Sequence, residues 1–179
     1  MANYVTTFNR LYQAGFSPNL VERPRLEKHL QKALNDVVKM RGLITPASKE
    51  THIQKAIFEA IQTVSRNLVC MLELQINAYW ASRQGHFVML NAQTLRETQR
   101  MTQQTLLTIA HALYEGNPQP VRANTEKLNE IVVELRQLIK EHQDDNLSET
   151  PIHGYVWLTI ELARQLELLS HLICRALRK

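Results

Sequence analysis

The chain has 179 residues, enough for one domain with its own core, and 44% hydrophobic against 21% charged residues excludes a disordered polymer. Five glycines and six prolines are few and fall at breaks between apolar stretches, which argues against a turn-rich β architecture. The net charge of +4 and pI near 9.2 are mildly basic, too little to define a nucleic-acid binder.

Six helical segments are predicted. The first covers about Ala2–Ala14 and stops at Gly15 and the turn Ser17-Pro18-Asn19. It opens without a capping signal, so it is expected to be the tail of something longer. The second runs from about Pro24 to Leu43, with Leu26, Leu30, Ala33, Leu34, Val37 and Met40 as one apolar stripe. It carries the densest positive charge: Arg23, Arg25, Lys28, Lys32, Lys39 and Arg41 against Glu27 and Asp36. At helical spacing, those charges read first as a solvated face and second as a contact for phosphates or lipid headgroups.

The third segment is read as one helix from about Pro46 to Arg83, capped by Thr45 or Ser48. Ile53, Ile57, Ile61, Val64, Leu68, Leu72, Ile76 and Tyr79 step by fours and threes with no Pro or Gly among them. At 1.5 Å per residue it would be about 55 Å long. Gly85 is its expected stop. The fourth runs from about Phe87 to Glu115 and ends at Gly116-Asn117-Pro118. Its stripe is weaker: Leu95, then Met101 or Thr102, then Leu106, Ile109 and Leu113. The fifth covers about Pro118–Glu141, with Leu128, Ile131, Val132, Leu135, Leu138 and Ile139. A polar, acidic loop over 142–151 leads to the sixth, about Pro151–Leu177, with Val156, Thr159, Leu162, Leu166, Leu169, Ile173 and Leu177. The fold class is all-α: an antiparallel bundle of about five to six helices in one domain over 1–179, one helix very long.

Sites of chemistry are not found. The longest uncharged run, Met101–Tyr114, contains three Thr, two Gln and a His, so no transmembrane span is expected within the chain. No two of the seven histidines stand three or four apart, and Glu-x-x-His, the di-iron signature of helical bundles, is absent. Glu167, His171 and Cys174 would share a helix face, but beside the apolar stripe, where an incidental polar flank outweighs a metal site. Glu73 interrupts an apolar run and is read as an outward carboxylate rather than a ligand-facing one. Tyr79, Trp80, Phe87, Tyr155 and Trp157 gather near helix ends, which suits the ends of a bundle core better than a bilayer interface. Cys70 and Cys174 are expected to be reduced thiols. No catalytic, cofactor-binding or metal residue is assigned, no substrate-binding residue can be named, and the chain is not expected to be an enzyme.

Four stretches carry a resemblance: 9–50 (NRLYQAGFSPNLVERPRLEKHLQKALNDVVKMRGLITPASKE), 66–80 (RNLVCMLELQINAYW), 111–129 (HALYEGNPQPVRANTEKLN) and 165–179 (QLELLSHLICRALRK). They are similar to the C-terminal region of bacterial inner-membrane proteins of the fusaric-acid-resistance-like family, which includes aromatic-acid exporters. The likeness covers essentially the whole chain except Met1-Ala2. It implies a set of membrane helices followed by a cytosolic helical domain, with this chain as the second part. Its implied partners are its own transmembrane domain, a second copy in a homodimer or higher oligomer, and lipid headgroups. No nucleic acid is expected. The implied role is structural, oligomerising or gating within an inner-membrane efflux transporter. The competing reading is a free-standing cytosolic adaptor or regulator that binds a protein partner.

Overall fold

The computed structural model describes residues 1–15, 23–81, 93–141 and 150–178; side chains are not described for 23, 24, 80, 138, 139, 141 and 150–153. Seven α-helices and no strand occur among the described residues: α1 Ala2–Gly15, α2 Arg23–Met40, α3 Ile44–Thr51, α4 Lys55–Ala81, α5 Gln93–Glu115, α6 Gln119–Glu141 and α7 Thr150–Ala176. A 3-10 turn, Arg41–Leu43, joins α2 to α3. The expected stops at 17–19, at Gly85 and over most of 142–151 lie outside the described residues, as does the start of the fourth segment at Phe87.

The six long helices close into a ring in the order α1, α2, α4, α7, α6, α5, and α5 packs back on α1. Every neighbour in that ring runs antiparallel. One end of the bundle therefore collects Met1, Met40, Leu113, Ile173 and Leu177, and is called the Met1 end below. Helices α4 and α7 form the most extensive seam, and α5 also packs directly on α7.

The apolar stripes face this interior as expected. Leu26, Leu30, Ala33 and Val37 of α2 are buried, as are Ile57, Ile61, Val64, Leu68, Leu72 and Ile76 of α4 and Val156, Leu162, Leu166, Leu169 and Ile173 of α7. Gly15 sits where α1 crosses α4; a Cβ there would lie 2.5 Å from Ile76 Cδ1, so any larger residue would force the Ile76 side chain to shift.

The long third helix is a correction. It breaks at His52, whose φ of 59° is left-handed, and α4 restarts at Lys55. No glycine marks the break. Hydroxyls replace it: Ser48 Oγ donates to the Ile53 carbonyl at 2.7 Å and Thr51 Oγ1 to the Ala47 carbonyl at 2.7 Å. The capping expectation also fails, since α3 begins at Ile44 after Leu43 with no side-chain cap. At the other predicted break Gly116 takes φ +72° after α5, and Asn117 Oδ1 accepts from the Gln119 amide at 3.1 Å to start α6.

On α5 the ambiguity between Met101 and Thr102 resolves as both. Thr98, Thr102, Thr105 and Thr108 are buried beside Leu95, Met101, Leu106 and Ile109. Three of these threonines satisfy themselves: Thr98, Thr105 and Thr108 donate to the carbonyls of Thr94, Met101 and Gln104 at 2.7–2.8 Å.

Polar ties then fix the register of the seams. Tyr4 Oη donates to the Ser65 carbonyl (2.6 Å, α1 to α4), Gln99 Nε2 to Tyr155 Oη (2.9 Å, α5 to α7) and Asn124 Nδ2 to Thr108 Oγ1 (2.6 Å, α6 to α5). Gln75 Nε2 donates to Thr159 Oγ1 at 2.7 Å across α4 and α7, but its Oε1 has no partner among the described residues. Thr159 Oγ1 donates onward to the Tyr155 carbonyl, so removing the amide strands no donor. Gln75→Met is expected to raise stability by about 1 kcal/mol, read as an upward shift in the urea midpoint, because an orphaned acceptor leaves the core.

Candidate functional site

The Met1 end carries the features most suited to an interaction. The 3-10 turn and α3 cross it, because Gly42 and Pro46 interrupt the α2 pattern there and the chain must return into α4. Between this crossing and the ends of α5 and α7 lies a cleft of about 330 Å³ lined by Met40, Leu43, Ile44, Phe58, Leu113, Ile173 and Leu177, among others. Its wall is almost wholly apolar. Leu43 is 66% exposed and Tyr114, at the end of α5, is 69% exposed while its hydroxyl donates to Asn3 Oδ1 at 3.0 Å.

Two further hollows lie at this end, the first of them adjoining the cleft. One, of about 630 Å³, runs past His52, Gly116, Arg175 and Arg178. The other, of about 520 Å³, opens between α6 and α7 and is lined by Arg122, Glu126, His171, Arg175 and Arg178 with Thr125 and Ser170. Arg175 and Arg178 thus stand on both. Neither arginine has an ion pair among the described residues, in contrast to Lys55, held 3.4 Å from Glu59.

The residues singled out in the sequence are dispersed. Glu167 and His171 do share a face, 3.6 Å apart, and Glu167 also accepts from Asn129 Nδ2 at 2.8 Å. The third member, Cys174, lines the same hollow as His171 but is buried, with its Sγ 3.7 Å from the Pro118 carbonyl. No group of three His, Cys, Asp or Glu among the described residues could hold a metal. Cys70 and Cys174 are both free. Glu73 is exposed. The basic residues Arg25, Lys28, Lys32 and Lys39 line the exposed face of α2, and a groove of about 460 Å³ between α1 and α2 takes Arg10, Arg25, His29 and Lys32 together with Asp36.

The aromatic set divides. Tyr79 and Tyr155 are core residues with ring centroids 6.0 Å apart, while Trp157 is 57% exposed; the side chains of Trp80 and Phe87 lie outside the described residues. Burial pushes the phenols of Tyr4, Tyr12, Tyr79 and Tyr155 above their ordinary value. The amphipathic end itself was not found from sequence. Its parts come from six segments, and only the exposed apolar Leu43 beside Arg41-Gly42 signals it locally.

The fold is an all-α antiparallel bundle with an apolar cleft set among arginines at one end. Among the described residues, no helix is long and apolar enough to cross a membrane. The chain is similar to the inner membrane protein YeeA of Escherichia coli (strain K12), with 71% identity over all 179 residues. Those residues cover 51% of that protein, so the chain spans about half the length of this relative. No family model and no solved structure matches the chain.

Proposed function

We propose that the chain is the cytosolic domain of an inner-membrane efflux transporter of the fusaric-acid-resistance-like family. The observation that carries this reading is the 71% identity, end to end, to half of a protein named for the inner membrane, in a chain with no span-length helix among its described residues. The membrane-spanning half would form the transport path. This bundle would stabilise, oligomerise or gate that half, and would not act as an enzyme. Its partners would be its own spans and a second copy.

Fractionating native cells and probing with an antibody raised against the chain tests the proposal. The expected result is a membrane-bound band well above 20.7 kDa. A band near 20.7 kDa in the soluble fraction would overturn it in favour of a free-standing adaptor.

A further inference from the structure

We infer that the Met1 end of the bundle docks end-on against the anionic surface of a lipid bilayer. The inference rests on the membrane-protein reading above and adds an orientation to it. Two observations converge. First, apolar side chains stand exposed at this end beside an open apolar cleft, with Leu43 at its tip and Tyr114 alongside. Leucine at a projecting turn and a tyrosine with its hydroxyl tied and its ring in solvent both suit a boundary between water and hydrocarbon.

Second, the cations are placed around that apolar centre. Arg175 and Arg178 line the hollow that adjoins it, Arg41 lines a hollow on the α2–α4 side, and Lys49 stands in the last turn of α3. None of these four has an ion-pair partner among the described residues, and Arg122 has none either. Glu50, Glu115 and Glu126 are at the same end, but they are fewer than the unpaired cations. Lipid phosphates are the ligands that guanidinium forks match bidentately.

End-on docking differs from the side-on contact suggested by the basic face of α2, and the two make opposite predictions. The chain is mixed with phosphatidylcholine vesicles with or without phosphatidylglycerol, and binding is followed by flotation at low salt. Binding is expected only with phosphatidylglycerol. Arg175→Gln with Arg178→Gln should weaken it about thirtyfold, at the strength typical of one basic side chain near an anionic surface. Lys28→Gln with Lys32→Gln, on the flank of α2, should leave it unchanged. In a Trp80→Phe background, a tryptophan placed by Leu43→Trp should be quenched by brominated lipid, whereas Trp157, near the opposite end, should not.

No binding at low salt, equal loss in the α2 pair, or quenching of Trp157 in the Trp80→Phe chain would each overturn the inference. None of these results touches the fractionation test. A full-length protein found in membranes whose bundle ignores vesicles would leave the transporter reading standing without this orientation.

Discussion

Leu166→Ala is expected to cost the bundle 2–5 kcal/mol, a large share of the ~5–15 kcal/mol that holds a domain folded. Leu166 is fully buried on α7, within the core where α7 meets α4 most extensively. The cost has two parts, the lost transfer of three buried carbons and the cavity they leave. The ring architecture favours the upper half of the range, because α7 is held by α4, α5 and α6 together and has little freedom to settle inward. Leu168, two residues further on, is 46% exposed, so Leu168→Ala on the same helix should stay within about 0.5 kcal/mol of the parent. Urea unfolding checks both: the midpoint should fall for Leu166→Ala with an unchanged slope, and hardly move for Leu168→Ala. Equal effects would mean that α7 is not seated in the core as described.

Alkaline pH should unfold the protein cooperatively. Tyr4, Tyr12 and Tyr155 are buried, and burial raises each phenol above its ordinary value near 10. A raised folded-state pKa means that the neutral phenol is favoured by folding. That stability is fully present below pH 10 and is lost as pH rises above it, where the unfolded chain ionises and the folded chain resists. Three such groups give a slope of about 4 kcal/mol per pH unit once the unfolded phenols are ionised. Helical circular dichroism and phenolate absorbance should therefore change together above pH 10. Tyr12→Phe should reduce the slope by about a third. Phenolate forming in these three tyrosines while the helices remain intact would show that the hydroxyls reach water.

Much of the fold is legible in residue spacing. Ile57 to Tyr79 and Val156 to Ile173 step by threes and fours because each must return to one face, and those faces are the ones buried. The spacing could not show where α3 ends and α4 begins. His52 supplies the left-handed turn that glycine usually provides, and the Ser48 and Thr51 hydroxyls that support it look like ordinary helix-surface residues in one dimension. The threonines of α5 misled in the other direction. They read as a diluted stripe, yet back-bonding to their own helix lets them enter the core. Tyr79 and Tyr155 read as aromatics at the ends of a bundle core and are buried there, but their pairing across α4 and α7 could not be read from composition near a helix end. The Met1 end is a product of tertiary assembly: Leu43, Leu113 and Leu177 become neighbours only when three helix ends meet.

The alternation of helix direction around the ring has an electrostatic consequence. Each end face of the bundle presents three helix starts and three helix finishes in strict rotation, so the partial charges of the backbone termini cancel around the ring rather than add. A parallel cluster of the same helices would carry a built-in field, positive at one pole and negative at the other. Here neither pole has one. The sign of each face is set by its side chains alone, so exchanging a few arginines at the Met1 end for acids would invert the potential there without changing the backbone beneath.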